Sequence, residues 1–304
     1  MKQKLKTFKK QKIKSLIFVY SMLLIPILNF LVFWVGVNTN SILLAFKGIK
    51  DGKEYFTLQN FVVLYNEFFV YSDSSFGLFF KNTMIFFSIG IFIITPCSLF
   101  LSYFLYKKIR WYKFFRVIFL VPSIISGVVI SLLYKYMLGA SGPISELYKI
   151  FFHSDYSPAF LAESEYALKS LVVFSIWTGI TGNFILYCGA MNRIPVEVIE
   201  SAKIDGCGWL SELTKIVIPM IWPTLSTTLV FLVIGIFSSS GNILLLTDGV
   251  TSTYTLSYWI FDQVKRFQSY YIPSALGLVF TLIGFPIVLL TRHFLNKVYA
   301  DVEF

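Results

Sequence analysis

The chain has 304 residues, of which 56% are apolar, 19% aromatic and only 14% charged, whereas a soluble domain carries about 25% charged residues. That excludes an ordinary soluble domain and places the chain in a membrane. The net charge of +10 comes from basic residues clustered beside apolar runs rather than interleaved with aromatics on polar segments. This fits membrane orientation and excludes nucleic-acid binding.

Residues 1–14 form a basic N-terminus with Lys2, Lys4, Lys6, Lys9, Lys10, Lys12 and Lys14. The apolar run 16–37 follows, about 33 Å as a helix and enough to cross a bilayer. It is longer than a signal-peptide core and no small-x-small cleavage site follows, so it reads as an uncleaved first span, kinked at Pro26. Residues 38–80 read as a polar-aromatic loop. The second span covers about 82–106 and ends in a basic turn with Lys107, Lys108, Arg110, Lys113 and Arg116. The third covers about 114–138. A mildly acidic loop leads to the fourth, about 170–190. A polar segment (194–219) precedes the fifth span, about 220–246, and a loop (247–270) precedes the sixth, about 272–290. Residues 15–304 thus read as a single membrane domain of six helices, since helices satisfy their own backbone groups in lipid. The basic residues concentrate in the N-terminus, the second loop, the 194–219 loop (Arg193, Lys203, Lys215) and the tail (Arg292, Lys297). The positive-inside rule therefore puts both termini and the 194–219 loop in the cytosol.

The 194–219 segment is the one long stretch of mixed charge between two spans. Pro195 with Glu197 and Glu200 close behind marks a helix start, where a fixed φ and acidic side chains are both favourable. Gly206 and Gly208 interrupt it, and a second short helix follows with Leu210, Leu213 and Val217 on one face. Glu200-Ser201-Ala202, three residues, Gly206, nine residues and Ile216-Val217-Ile218-Pro219 resemble the EAA loop of ATP-binding-cassette importer permeases. Ser201 and Ile218 depart from that pattern by small or isosteric changes. The plain alternative is an amphipathic hairpin that merely joins two spans.

No G-x-x-x-x-G-K-[ST] loop is present to cradle ATP phosphates, and neither His-Glu-x-x-His nor Gly-x-Ser-x-Gly appears. Cys97, Cys188 and Cys207 are widely separated, as are His153 and His293, so neither a disulfide framework nor a metal site is expected. Span interiors hold no Asp or Glu, the groups that commonly relay protons in coupled carriers, which favours a machine powered elsewhere. The polar residues inside spans are neutral: Ser175, Trp177, Thr178, Thr181 and Asn183 in the fourth, and Ser238, Ser239, Ser240 and Asn242 in the fifth. Such groups suit an uncharged, polyhydroxylated ligand such as a sugar. They equally serve as interhelical glue.

Residues 80–290 resemble the carbohydrate-type members of that family, the permeases of maltose, glycerol-phosphate and multiple-sugar importers. The phrases that carry this are Phe114-Phe115-Arg116-Val117 through Leu120-Val121-Pro122-Ser123, Trp177 with Asn183 leading into Ile194-Pro195, and Leu246-Thr247-Asp248-Gly249. The resemblance implies an all-α, six-helix permease subunit with cytosolic EAA coupling helices in a bacterial cell membrane. It implies a second permease subunit, two cytosolic ATPase subunits holding the ATP and Mg, an extracellular solute-binding protein and a sugar or oligosaccharide substrate. The same machine for a polyol phosphate or a peptide is the alternative, and a scaffold a remoter one. No cofactor belongs to this chain, and the chain is not itself an enzyme. Glu200, Ser201, Ala202, Asp205, Gly206, Ile216 and Pro219 are implied in ATPase coupling. By alignment with the maltose branch, Ser175, Thr178, Gly179 and Ser239 fall at sugar-contact positions. The tail lacks a Val-Lys-Gly ending, as in the first-type member of a heterodimeric pair.

Overall fold

The computed structural model describes residues 2–50, 52–70, 75–153, 156, 158–237, 241–249 and 251–299. In chain order, α1 (Ile13–Ala45, helical from residue 2) leads into a hairpin of β1 (Lys47–Lys50) and β2 (Lys53–Phe56), a short helix α2 (Gln59–Tyr65) and the long helix α3 (Phe76–Tyr106). Helices α4 (Tyr112–Ile124) and α5 (Gly127–Met137) meet at a 104° bend. Then come α6 (Pro143–Phe152) and α7 (Ser164–Met191). Helices α8 (Val196–Ile204) and α9 (Trp209–Met220) form the polar hairpin, and α10 (Trp222–Gly235) leaves α9 at 77°. The chain ends with α11 (Gly241–Leu246), α12 (Leu256–Lys265) and α13 (Tyr271–Val298). Among the described residues, helices α1, α3, α7 and α13 are long and apolar enough to cross a membrane unbroken, and counting each bent pair as one span gives up to six.

Two expected spans are thus broken, each for a local reason. In the third, Ile125 and Ser126 are extended, with ψ of 141° and 134°, and Ser126-Gly127 is the kind of small pair at which helices kink. The fifth is flanked at its bend by Pro219 and Pro223, neither of which can donate a backbone hydrogen bond. Its helix α10 has 14 residues and rises about 21 Å, short of a bilayer core of about 30 Å. The remaining spans extend beyond their apolar runs into flanking polar residues such as Asn38, whose side-chain amide donates back to the Trp34 carbonyl one turn earlier.

Residues 1–66 and 268–279 make one compact unit. Part of the expected loop at 38–80 forms secondary structure in this unit. Asp51-Gly52 is a strong two-residue hairpin signal, and Gly52 sits at φ +75°. Lys47 pairs with Glu54 across the hairpin at 2.8 Å, and Tyr271 reaches the same carboxylate. The buried Asn60 donates to the Ala45 and Lys47 carbonyls at 2.9 and 2.8 Å. It thereby closes the end of α1 onto the start of α2.

Residues 67–267 and 280–304 make the second unit. Helices α3 and α7 lie side by side. The Ser98 hydroxyl donates to the Ile180 carbonyl at 3.1 Å and the Ser102 hydroxyl to the Phe184 carbonyl at 3.2 Å. The expected loop at 247–270 is held to the opposite end of α3. Asn82 is fully buried and donates to the Ser252 and Tyr254 carbonyls at 2.9 and 2.8 Å, while Thr83 accepts from the Leu256 amide. Thr255 caps α12 by accepting from the Tyr258 amide, a favoured helix-starting contact. Around α12, Arg266 donates to Asp248 at 2.8 Å and lies 2.7 Å from Asp262. Tyr254 donates to the same buried Asp262, and burial followed by that hydrogen bond pushes its phenol above its ordinary value.

Asn82→Ala strips the part-buried Ser252 and Tyr254 carbonyls of their donor, at a cost of about 0.5–1.5 kcal/mol for each hydrogen bond lost. Amide exchange across residues 247–266 should therefore rise while α7 stays protected. Unchanged exchange in that segment would show that Asn82 does not hold it.

Candidate functional site

Two features stand out in the second unit, a cavity between helices and the exposed hairpin of α8 and α9. The cavity measures about 500 Å³, within the range of ligand pockets. Ser175, Thr178, Gly179 and Asn183 line it from α7, and Asn242 from α11. Ser238 and Ser239, the other two residues expected there, lie outside the described residues. A stripe along α3 that sequence reasoning did not single out supplies another wall: Thr83, Phe86, Phe87, Gly90 and Ile94. Its small and aromatic members recur at helical spacing, and that periodicity is the signal that could have found them. Thr228, Phe231 and Thr255 complete much of the lining, and no described lining residue is charged.

Some hydroxyls hold segments together, some face the cavity, and Thr83 and Thr228 do both: Thr83 accepts from the Leu256 amide, and Thr228 is hydrogen-bonded to Tyr187 of α7. Ser98 and Ser102 bridge α3 to α7. Thr178 instead donates back to the Phe174 carbonyl of its own helix at 2.9 Å, leaving its acceptor lone pairs open. Ser175 and Asn183 make no hydrogen bond to another helix among the described residues. Gly179 has a second role. A Cβ there would sit 2.7 Å from Ile94 Cδ1, and one at Gly90 would sit 2.5 Å from Leu232 Cδ2. Both glycines let neighbouring helices approach closely where the cavity lies. Trp177 is not among the lining residues; its ring packs near Phe174 and Tyr134.

The hairpin is shaped by its glycine. Pro195 precedes the first turn of α8 in an extended conformation. At the far end Gly206 has φ +76°, as the sequence pattern anticipates. The Cys207 amide donates to the Ala202 carbonyl at 2.9 Å and the Gly206 amide to the Lys203 carbonyl at 3.1 Å. This pair of bonds ends the helix in a Schellman turn with glycine at its left-handed position. Ile199 and Ala202 are buried, whereas Glu200, Ser201, Asp205 and Gly206 are exposed.

The seven residues implied in coupling therefore face two ways. Ile216 packs against a buried cluster that joins Tyr103 of α3, Tyr187 and Met191 of α7, Ile199, Leu213 and Val217, and Pro219 is half-buried. The outer surface of the hairpin carries apolar side chains: Ile204 is 86% exposed, and Leu210, expected on one face with Leu213 and Val217, is 52% exposed while those two are buried. The hairpin therefore presents an apolar tip beside an acidic flank. Inside the chain, Glu212 is buried and bound by Lys107.

Residues 94–298 match the family described as binding-protein-dependent transport system inner membrane component. The chain is 26% identical over 232 residues to the probable ABC transporter permease protein YurN of Bacillus subtilis (strain 168), covering 74% of this chain and 77% of that one. It is 28% identical over 207 residues to the lactose transport system permease protein LacF of Rhizobium radiobacter, covering 66% and 68%. Its fold is similar to that of a bacterial ABC transporter involved in the import of the acidic polysaccharide alginate, with a TM-score of 0.80 at 24% identity over 95% of this chain and 98% of that one.

At Gly206 nothing lies within 4 Å of the point a Cβ would occupy, so the cost of a side chain there is conformational alone. Gly206→Val should destabilise the purified protein by about 1–2 kcal/mol, the left-handed penalty for an L-residue, and Gly206→Asn by less. Thermal unfolding in detergent checks the order, and equal melting temperatures for both variants and the parent would contradict it.

Proposed function

This chain belongs to the family of binding-protein-dependent transport system inner membrane components, and we propose that it forms part of the passage for an uncharged sugar or oligosaccharide in an ATP-driven importer. The observation that carries this is the neutral cavity. Ser175, Thr178, Asn183 and Asn242 offer hydroxyl and amide groups, and Phe86, Phe87 and Phe231 offer apolar ring surface, a combination that suits a sugar's polar edges and apolar faces. A phosphate is best held by Arg or Lys, and no described lining residue provides one. A sugar is therefore favoured over a polyol phosphate, even though the sn-glycerol-3-phosphate permeases of Shigella flexneri and Escherichia coli are also similar.

In this reading an extracellular solute-binding protein delivers the sugar. A second permease subunit pairs with this chain, and two cytosolic ATPase subunits, which bind ATP and Mg, receive the α8–α9 hairpin and its partner's equivalent. Glu200, Ser201 and Asp205 face the ATPase around Gly206, with Ile204 and Leu210 as apolar contacts. Ala202, Ile216 and Pro219 fix the hairpin onto its own chain. Both termini lie in the cytosol with the hairpin. Closure of the ATPase pair moves the hairpin, and α3 and α7 with it, so that the cavity between them changes the side to which it opens.

Ser175→Leu combined with Thr178→Leu should lower uptake of the sugar carried by the cognate binding protein by about tenfold or more, the size of losing one or two hydrogen bonds of roughly 1 kcal/mol each, while the complex still assembles. Unaltered uptake would make these residues mere helix packing. For orientation, cysteines at Lys108 and Phe151 in a background lacking Cys97, Cys188 and Cys207 should be labelled by an impermeant thiol reagent from opposite sides. Reaction of Phe151→Cys from the cytosol alone would reject the topology.

A further inference from the structure

Lys107 follows the last residue of α3, and its Nζ lies 2.6 and 2.7 Å from the two carboxylate oxygens of Glu212 in α9. Glu212 is only 2% exposed, and the Lys107 side chain 24%. Beside them the Tyr103 hydroxyl donates to the Trp209 carbonyl at 3.2 Å, and the Lys107 ammonium lies 5.8 Å from the Tyr103 ring centre. Among the described residues this is the one ion pair between the hairpin and a membrane helix. The other contacts across this junction are largely apolar: Leu99 and Tyr103 share a cluster with Leu213, Val217 and Ile221.

Apolar packing is non-directional, so it can keep two helices together without fixing their register. A buried ion pair costs more to desolvate than an apolar pair of the same size, and is explained best by what it positions. Here it joins the second helix of the hairpin to α3, whose helical path runs unbroken back to Gly90 and Ile94 in the cavity wall. We propose that Lys107 and Glu212 are positioning residues that carry displacement of the hairpin into α3 and so to the cavity, a link that rests on the reading of the hairpin as the ATPase-docking element.

The experiment uses the assembled transporter with its ATPase in lipid vesicles. Spin labels replace Phe87 and Phe231 in the cavity lining, and their separation is measured before and after addition of Mg-ATP and vanadate. In the parent the separation changes on trapping. In Lys107→Met and in Glu212→Gln the ATPase should still co-purify, while the population reaching the trapped separation falls about fivefold or more, the lower end of coupling between sites. Charge reversal, Lys107→Glu with Glu212→Lys, should restore it. A junction that served stability alone would lower the yield of complex and leave the trapped separation as it is in the parent. That result, or trapping by both single variants as in the parent, overturns the link and leaves the proposed function intact. Should either single variant fail to assemble, the reversed pair decides: recovery of both assembly and trapping supports the link, and any other result overturns it. If no ATPase co-purifies with the parent chain, the docking assignment falls first and the link with it.

Discussion

Small serine side chains sit in the seam along which α3 and α7 run together, and both candidate sites lie on that seam. Ser98 and Ser102 each donate to a carbonyl of the facing helix. In lipid, neighbouring helices gain no hydrophobic attraction for one another, so small side chains and cross-helix hydrogen bonds do much of the joining. Each hydroxyl has one proton and shares it with the carbonyl four residues earlier on its own helix, at 2.6 Å for Ser98 and 2.7 Å for Ser102, so the cross-helix contact is the longer arm of a bifurcated bond. Towards the Gly90 end of this seam lies the cavity. Towards the Tyr103 end lies the cluster that seats the hairpin. A change at either end is thus a change made to the same pair of helices.

The cavity exists because α3 does not stay regular beside it. Over Gly90–Ile94 the helix widens to a π turn, an arrangement frequent at functional sites. Thr95 stabilises the wide turn by donating to the Gly90 carbonyl at 2.9 Å. The space next to Gly90 is taken up by Leu232 and the space next to Gly179 by Ile94, so the glycines serve as contact points for a neighbouring side chain as well as parts of the wall.

Much of this was legible in the sequence because it is written in local spacing. Six apolar runs, the Glu200-to-Pro219 pattern and the neutral residues of the fourth span all sit within windows of a few turns. Features that rest on partners far apart in the chain were not. Glu212 looked like one more charge in a polar segment, and its partner is 105 residues away. Asn82 and Thr83 looked like the start of a span, whereas their work is to hold residues about 170 positions later. The hairpin at 47–56 is a different kind of miss. Its signal, Asp51-Gly52, is local, but the flanking run lacks the alternation that marks a strand, and the ordering comes from Asn60 outside it. The break at Ser126-Gly127 falls inside an apolar run, where composition favours a continuous helix and only the backbone geometry shows otherwise.

The way the hairpin is anchored decides how it can move. Leu213, Val217, Ile221 and Trp222 are each at least nine-tenths buried, in one cluster with Leu99 and Tyr103 of α3 and with Tyr187 and Met191 of α7. Sliding α9 away from those helices would expose several large apolar side chains, at about 1.5–3 kcal/mol for each one fully uncovered. It would also strip a buried carboxylate of its ammonium, a loss of roughly 3–5 kcal/mol. The turn at Gly206 has no such tether, since nothing lies within 4 Å of the point a Cβ would occupy there and its neighbours Ile204 and Asp205 are exposed. Force applied at the tip therefore meets little resistance locally and a great deal at the base. The cheaper response is for α9 to move as one body with the ends of α3 and α7, which carries the displacement along both helices towards the cavity they share.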